Sequence, residues 1–329
     1  MRTSLQIRDL SAQRGERTNG WLTIGEGAAG PIQLPLVIVN GSEDGPILCV
    51  TAGVHATEYA PIEAVMRLLD GVRPESLRGA VIGVPVVNLR MFESRTGFVS
   101  PLDGLNLNKI APGRPDGSIS ERLADVLLHE VIGRAGYHID FHAGDLGELL
   151  LPFAGYSLTG DARLDREGEA LARAFSPRLI SLATEGSSIP PFVGSLNFAA
   201  TRQGVVSILA EAGGNGTLED EDVRTHLEGA HGVMRHLGMT DGPSPANGAR
   251  IAAVDRIVVR ASRAGLVRLM VRIGDEIAAG QQVAEICNVF GETVERVCAP
   301  GSGIAGLVWA HKVVHTGDPI VRYWITEPA

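Results

Sequence analysis

The sequence PILCVTAGVHATEYAPIEAVMRLL, residues 46–69, contains the change of hydrophobic pattern that decides the fold class. Its first nine residues form a nearly continuous apolar run that is typical of a buried strand. After Glu58, the residues Ile62, Val65 and Leu69 recur at helical spacing, which predicts a helix directly after the strand. A buried strand that leads into a helix through a short turn is typical of a layered α/β domain.

Strand and helix patterns alternate on both sides of this stretch. Apolar runs predict further strands at residues 32–39, 80–87, 137–141 and 205–210, and helical spacing predicts helices at 118–132, 162–174 and 218–237, with a long polar loop at 88–117. Ser118 and Glu121 have the spacing of a capping box at the start of one of these helices. The alternation favours a mostly parallel or mixed sheet flanked by helices.

The last part of the chain has a different pattern. Residues 251–329 contain short Val- and Ile-rich runs separated by glycine, which predicts an all-β domain. The preceding segment, 240–250, is rich in Gly, Pro, Ser and Asn, as linkers between folded units are. We therefore predict two domains, an α/β domain at residues 1–245 and a small β domain at residues 250–329.

The small domain resembles the biotinyl/lipoyl barrel-sandwich fold. Residues 271–286 and 299–308 look like its two half-repeats, with a hairpin between them. Carrier domains of this fold modify a lysine at that hairpin, but no lysine lies between Ile251 and Ala310. The resemblance therefore implies a non-carrier barrel that serves packing, oligomerisation or the shaping of a cleft, and it leaves homo-oligomerisation open.

Composition excludes several classes of protein. The 329 residues are 44% hydrophobic and 20% charged, as in ordinary globular chains, and the net charge of −9 argues against a nucleic-acid or anionic membrane partner. Cys49, Cys287 and Cys298 are too few and too scattered for a disulfide framework or a thiolate metal site. The polar first residues and the short apolar runs predict a cytoplasmic protein.

Two of the nine histidines directly follow predicted strands, where open α/β sheets place their ligand sites. His55 stands three residues before Glu58, so a loop imidazole and a carboxylate at the start of a helix can reach one cation. His142 ends the segment HIDFH, in which Asp140 is placed to orient the ligand imidazole. By contrast, the histidines at 129, 226, 231 and 236 lie in polar helical patterns, and we expect them at the surface.

The set of His55, Glu58 and His142 matches a catalytic zinc site with one open position. Glu211 ends a further buried strand and is followed by the flexible sequence AGGNG. A charge is costly there unless it has a partner or a role, and a general base beside an activated water is one such role. Taken alone, each residue has an ordinary structural explanation, such as a salt-bridged carboxylate at a strand end.

The sequence resembles the succinylglutamate desuccinylase/aspartoacylase family, which is related to the zinc carboxypeptidases. The motifs that carry the resemblance occur in the family's order between about residues 30 and 240: GVHATE, the loop NLRMFESRTGFVSPLDGLNLNKIAPG, HIDFH and AEAGG. The resemblance implies a zinc-carboxypeptidase-like mixed sheet flanked by helices, followed by a small C-terminal β domain.

The resemblance also implies roles for individual residues. It implies that His55, Glu58 and His142 bind one Zn²⁺ per chain and that Glu211 is the general base. Arg95 matches the family arginine that polarises the scissile carbonyl.

The same loop supplies the residues that the resemblance assigns to substrate binding. Asn108 and Lys109 match the Asn-Arg pair that holds the substrate's carboxylate. Lysine stands here in place of the family's arginine, although only Lys109 and Lys312 are lysines among the 29 basic residues. Because lysine offers a point charge instead of a planar fork, bidentate recognition of a carboxylate is in doubt at this position.

We therefore predict a zinc-dependent hydrolase that cleaves the amide bond of a small N-acyl amino acid or a related amine. The loop around SPLDG resembles the branch that deacetylates N-acetyl-diaminobutyrate, and succinylglutamate or acylaspartate substrates stay open. Two alternatives remain at this point: a metallocarboxypeptidase that acts on peptides, and a non-catalytic interaction protein.

Overall fold

Strands and helices alternate through the first two thirds of the chain in the computed structural model, which describes residues 3–175, 179–243 and 251–328. The strands are β1 (Ser4–Ile7), β2 (Leu10–Gln13), β3 (Glu16–Gly27), β4 (Gly30–Asn40), β5 (Glu43–Ala52), β6 (Arg78–Val84), β7 (Tyr137–His142), β8 (Glu148–Leu150), β9 (Phe153–Ser157), β10 (Leu179–Ala183), β11 (Val206–Glu211), β12 (Ile251–Arg260), β13 (Gly265–Leu269), β14 (Glu276–Ile277), β15 (Gln282–Cys287), β16 (Thr293–Cys298), β17 (Gly303–Trp309), β18 (Val313–Val314) and β19 (Pro319–Pro328).

The helices are α1 (Tyr59–Gly71), α2 (Leu89–Ser94), α3 (Ile119–Val126), α4 (Ala162–Phe175), α5 (Leu196–Arg202) and α6 (Asp220–His236), with 3₁₀ turns at Pro74–Ser76, Leu107–Lys109 and Ile132–Arg134 and a π-helical turn at Leu127–Val131. The predicted capping box is present in part, since the Ser118 backbone N–H donates to Glu121 Oε2 at 2.8 Å. In the described ranges, no helix is both long and apolar enough to cross a membrane.

A mixed sheet organises the chain. Its strands follow the order β14-β17-β19-β12-β10-β9-β11-β7-β5-β6-β4-β3, and β8 adds to β17. The four strands β6, β5, β7 and β11 are neighbours and run parallel, whereas β4 and β9 flank them in the antiparallel direction. Helices cover both faces of this parallel centre: α1, α4 and α6 pack on one face, and α3 and α5 pack on the other. The predicted mixed α/β fold is confirmed.

Most predicted elements are present, with their ends shifted by a few residues. The predicted loop at 88–117 is wrong in part, because it contains α2, a helix of six residues that is too short to produce a helical period. Met91 of this helix is buried, and Leu89 and Phe92 pack against the core. Three strands before residue 30 were not predicted, since their polar residues alternate with few apolar ones.

The C-terminal region is all-β, as predicted, and it also continues the main sheet. Residues 251–328 contain their own apolar core and a four-stranded antiparallel sheet in the order β16-β15-β13-β18. Strand β12 pairs in parallel with β10, and β17 pairs with β8 of the α/β part. The predicted linker lies largely at residues 244–250, outside the described residues, so the domain division at 245–250 stays a prediction.

The expectation that His226 lies at the surface is wrong. Its side chain is fully buried in α6, and its ring packs against Phe141 at a centroid distance of 5.1 Å. His226 Nε2 lies 3.2 Å from the carbonyl oxygen of Ala212, to which it donates. Because burial penalises the charged ring, the pKa of His226 is lowered to about 4.

We expect the variant His226→Gln to reduce the acid sensitivity of the fold. The unfolded chain protonates this ring near pH 6.5 and the folded chain only near pH 4. The neutral ring therefore makes its full contribution to the free energy of unfolding above pH 6.5, and this contribution is lost as the pH falls toward 4. In the wild type, this loss in the free energy of unfolding should reach about 3 kcal/mol at most, and it should be absent in the variant. Denaturant unfolding of chelator-treated protein at about pH 7 and about pH 4.5 measures it.

The matched control is His129→Gln, which changes a histidine whose side chain is 47% exposed. This variant should keep the pH dependence of the wild-type protein. If His226→Gln loses as much stability on acidification as the wild type, the buried ring is not a source of the acid sensitivity.

Candidate metal centre and active-site cavity

Three neighbouring parallel strands end at one edge of the sheet and carry the candidate residues there. The register pairs Glu211 of β11 with His142 of β7, and Phe141 of β7 with Ala52 of β5. Since parallel strands present their carboxyl ends at the same edge, His142, Glu211 and the turn after Ala52 are close together.

The turn after β5 brings two more candidates to this edge. Gly53 has a φ of +71°, and a Cβ atom there would lie 3.2 Å from Val86 Cα, so this position favours glycine. His55 follows in the turn, and its carbonyl oxygen accepts a hydrogen bond from the Glu58 N–H at 3.3 Å. Glu58 immediately precedes α1, so the predicted loop histidine and helix-start glutamate are arranged as the sequence indicates.

His55, Glu58 and His142 form one buried cluster whose ligand atoms all lie within 4.8 Å of one another. His55 Nδ1 lies 2.8 Å from Glu58 Oε1, and His142 Nδ1 lies 3.0 Å from Glu58 Oε2. Each of the three residues is at most 7% exposed. The cluster could therefore hold a metal ion through two imidazole nitrogens and one carboxylate.

The electrostatics of the cluster favour a cation. Burial would raise the pKa of Glu58, but the two imidazoles lower it to about 2. Burial would lower the pKa of His142, but Glu58 and Asp140 raise it well above its ordinary value. In the cation-free cluster, a proton on His142 provides positive charge beside Glu58; a metal ion would supply that charge in its place.

The other ring nitrogen of each imidazole faces an oxygen atom that can orient it. His55 Nε2 lies 3.2 Å from Asn106 Oδ1 in a hydrogen bond, and His142 Nε2 lies 3.3 Å from Asp140 Oδ2, an ion-pair contact outside hydrogen-bond geometry. When Nε2 carries the proton and faces one of these oxygens, Nδ1 keeps its lone pair. Nδ1 of each ring can then bind a metal ion. The position of Asp140 is the one expected from the sequence, whereas Asn106 was not singled out by it.

A chain of buried hydrogen bonds fixes Asp140 from behind. Thr51 Oγ1 donates to Asp140 Oδ1 at 2.6 Å and lies 2.9 Å from His138 Nε2. His138 Nδ1 lies 2.8 Å from Ser207 Oγ. Because the Thr51 hydroxyl has only one proton, His138 donates to Thr51 from Nε2 and accepts from Ser207 at Nδ1. Burial lowers the pKa of His138 to about 4, which is consistent with this neutral form.

Glu211 stands beside the cluster with an unsatisfied carboxylate. Its Oε2 atom is buried and has no hydrogen-bond partner in the part of the chain that the structure describes. Burial raises the pKa of Glu211 to about 8, and the carboxylates of Glu58 and Glu148 act in the same direction. A carboxyl group with a pKa near neutrality can both accept and return a proton, which is what a general acid–base residue requires.

A cavity of about 530 Å³ opens onto these residues. It is lined by residues of the α/β part and of the C-terminal strands, including His55, Glu58, Phe98, Asn106, Asn108, Lys109, His142, Asp145, Glu148, Leu150, Phe153, Ile189, Phe192, Leu209, Glu211, Arg256, Arg322 and Trp324. Its volume is within the range of small-molecule sites.

The structure brings six of the seven predicted site residues to this cavity. Asn108 and Lys109 line it, together with the three residues of the cluster and Glu211. The Asn108 Oδ1 atom is buried without a hydrogen-bond partner, whereas Lys109 is exposed. Arg95 is exposed at the end of α2, with a φ of +54°, and it is not among the residues that line the cavity. Its role in polarising a carbonyl therefore stays a prediction.

Several cavity residues were missed at the level of sequence. Asp145 follows HIDFH by three positions, and its Oδ1 atom accepts a hydrogen bond from Thr57 Oγ1 at 2.5 Å, next to the cluster. Arg256 and Arg322 belong to strands that are distant in the chain and follow no motif. The proximity of Asp145 to His142 was a usable signal, but nothing local marks the two arginines.

The fold and the site define an α/β protein with a mixed sheet and a buried His–Glu–His cluster that could hold a metal ion at its carboxyl edge. Residues 44–237 match the succinylglutamate desuccinylase/aspartoacylase catalytic domain, and the chain belongs to this family. It is 30% identical over 270 residues to the N-alpha-acetyl-L-2,4-diaminobutyric acid deacetylase of Halomonas elongata, a match that covers 80% of this chain and 77% of that protein. The family membership expected from the sequence motifs is confirmed.

Two solved structures show the same fold over nearly the whole chain. The product-bound ectoine utilization protein EutE (DoeB) of Ruegeria pomeroyi matches with a TM-score of 0.88 and 24% identity, covering 97% of this chain and 98% of that one. The succinylglutamate desuccinylase/aspartoacylase of Rhodobacter sphaeroides matches with a TM-score of 0.85 and 25% identity, covering 98% of both chains. The C-terminal β region is therefore part of the shared fold.

We expect Thr51→Val to weaken metal binding although Thr51 touches no ligand atom of the cluster. The isosteric change removes the hydroxyl that donates to Asp140, so the orientation of the His142 ring is lost in part. Affinity for Zn²⁺ added to chelator-treated protein should fall about 10- to 100-fold. Competition with a chromophoric chelator measures the affinity.

Thr51→Ser is the control, because it keeps the hydroxyl and should retain affinity within about threefold of the wild type. An unchanged affinity in Thr51→Val would show that the buried chain of hydrogen bonds does not support the cluster.

Proposed function

We propose that the chain is a zinc-dependent deacylase that hydrolyses the amide bond of a small N-acyl amino acid. The observation that carries the proposal is that two histidines and Glu58 meet a second carboxylate, Glu211, at the wall of one cavity. The Oε2 atom of Glu211 has no hydrogen-bond partner among the described residues. Membership of the deacylase family and the 30% identity to a diaminobutyrate deacetylase support the same reaction class.

The donor set fits zinc. Two imidazole nitrogens and one carboxylate are the ligands of a hydrolytic zinc site, and the oxygens behind both rings suit that arrangement. When bound, zinc supplies Lewis-acid polarisation of the scissile carbonyl and lowers the pKa of a coordinated water to about 7. His55, Glu58 and His142 would hold the ion.

Glu211 carries out the proton transfers in this proposal. Its buried Oε2 has no hydrogen-bond partner among the described residues and can accept the proton of the attacking water. The same oxygen then returns that proton to the amine nitrogen as the C–N bond breaks, which prevents expulsion of an unstable amide anion. The raised pKa of Glu211 makes both transfers accessible near neutral pH.

Asn108 and Lys109 would orient the substrate from the loop side of the cavity. The unsatisfied Asn108 Oδ1 can accept a hydrogen bond from the substrate, and Lys109 provides a positive charge near the opening. Arg95 would have to reach the cavity to assist the carbonyl, so the proposal does not depend on it.

Among substrates, N-acetyl-diaminobutyrate is the first candidate. The relative from Halomonas elongata is named for this reaction. Such a substrate carries a carboxylate and an ammonium group, and the cavity wall offers charges of both signs in Asp145, Glu148 and Arg322. Succinylglutamate, which carries three carboxylates, and acylaspartate, which carries two when the acyl group is acetyl, are the alternatives within the same family.

We expect the zinc-loaded protein to hydrolyse N-acyl amino acids but not peptides. The panel is N-acetyl-2,4-diaminobutyrate, N-acetylaspartate and N-succinylglutamate, together with a short peptide whose C-terminus is either free or blocked. Release of free amine measures turnover, and chelation should abolish it until Zn²⁺ is restored. Faster cleavage of the free peptide than of any N-acyl amino acid would instead support a carboxypeptidase.

We expect Glu211→Gln to separate metal binding from catalysis. The amide keeps the size of the side chain but cannot accept the proton, so kcat should fall about 10²- to 10⁴-fold. Zinc content by elemental analysis should stay at one ion per chain, because Glu211 is outside the ligand set.

Glu63→Gln in helix α1 is the control, since Glu63 lies outside the cavity and pairs with Arg67. It should leave kcat unchanged. Near-normal turnover in Glu211→Gln would remove Glu211 from the mechanism.

A further inference from the structure

Two arginines from the C-terminal strands line the catalytic cavity. Arg256 belongs to β12 and Arg322 to β19, and the antiparallel register of these strands pairs Arg256 with Trp324. Because alternate residues of a strand share a face, Arg322 lies on the same face as Trp324. All three residues reach the cavity that contains Glu211 and the metal cluster.

Arg322 forms no ion pair among the described residues, and the carboxylates of Glu148 and Glu211 act on it only through longer-range electrostatics. Within residues 3–175, 179–243 and 251–328, no carboxylate oxygen lies within 4.0 Å of its guanidinium, and its buried Nε atom has no hydrogen-bond partner. The guanidinium carbon lies 5.6 Å from the centre of the Trp309 ring, which supports the group without neutralising it. A partly buried, unpaired guanidinium is costly, so its presence at a cavity wall points to a ligand.

The charge environment of the two arginines supports the same conclusion. Burial lowers the pKa of Arg256, and the positive charge of Arg322 acts in the same direction. Burial also lowers the pKa of Arg322, although Glu148 and Glu211 oppose the effect from a distance. An anion placed between the guanidinium groups would relieve their mutual repulsion.

The alternative position for an anion, at Lys109, is less favourable. Lys109 is exposed to solvent, where an ion pair contributes little. Arg322 is partly buried beside Trp324, and its planar fork can donate two parallel hydrogen bonds to a carboxylate.

We propose that Arg322, flanked by Arg256, is the carboxylate-binding site of the cavity, so that the C-terminal β region selects substrates with an anionic group. This inference rests on the proposed deacylase function for the identity of the substrate. It gives the C-terminal strands a role in specificity in place of a purely structural one.

The test compares two probes that differ only in the anionic group: N-acetyl-L-2,4-diaminobutyrate and the same molecule with its carboxylate converted to a carboxamide. The zinc-loaded wild type should prefer the carboxylate by about 10- to 100-fold in kcat/KM, mainly through KM. Arg322→Met should lose this preference, measured as the ratio of kcat/KM on the two probes, because any effect of the lost charge on Glu211 acts on both probes alike. Arg322→Lys, which keeps the charge without the fork, should recover part of the preference.

Arg296→Met is the matched control, because Arg296 is an exposed arginine of strand β16 in the same C-terminal region and does not line the cavity. It should keep the wild-type preference. Zinc content and thermal unfolding of every variant verify that it is folded. Equal losses of kcat/KM on both probes in Arg322→Met would overturn the proposal. It would also be overturned if Lys109→Met abolished the preference for the carboxylate and Arg322→Met left it intact.

Calorimetry distinguishes a failure of this inference from a failure of the proposed function. The zinc-loaded wild type should bind 2,4-diaminobutyrate at least about tenfold more tightly than 1,3-diaminopropane, which lacks the carboxylate, and Arg322→Met should bind both equally. If the wild type shows this difference in binding but hydrolyses no substrate, the deacylase function is refuted and the carboxylate site is not. Equal binding of both amines to the wild type would refute the carboxylate site whether or not hydrolysis occurs.

Discussion

The parallel pairing of β5, β7 and β11 is the constraint on which the site depends. Parallel strands end at the same edge of a sheet, and here the register places Glu211 directly beside His142 and brings the turn with His55 and Glu58 to the same edge. A slip of β7 or β11 by one residue would turn His142 or Glu211 to the opposite face of the sheet. The apolar cores on both faces of the sheet oppose such a slip.

The buried polar groups at this edge depend on one another. Glu58 contacts both imidazoles, Asp140 faces the back of His142, and Thr51 with His138 holds Asp140 in place. Each of these groups would be costly if buried alone, and together they leave two ring nitrogens and a carboxylate facing one point. The arrangement therefore combines a stable interior with a position suited to a divalent cation.

The C-terminal β region is joined to the α/β part by strand pairing and not by a linker alone. Its strand β12 continues the main sheet from β10, and β17 pairs with β8. Through this attachment, Arg256, Arg322 and Trp324 reach the cavity. The C-terminal β region therefore lines one side of the cavity, and Arg256 and Arg322 bring positive charge to that side.

The sequence by itself determined the α/β class, most of the central strands and helices, the family, and the residues that meet at the sheet edge. These features depend on local periodicity and on short motifs, such as His55 three residues before Glu58, whose spacing directly limits their geometry. Only the tertiary structure decided that His226 is buried, that Arg95 is exposed and is not among the residues that line the cavity, and that Arg322 lines it. Such placements depend on contacts between segments that are far apart in the chain, and local patterns carry no information about them.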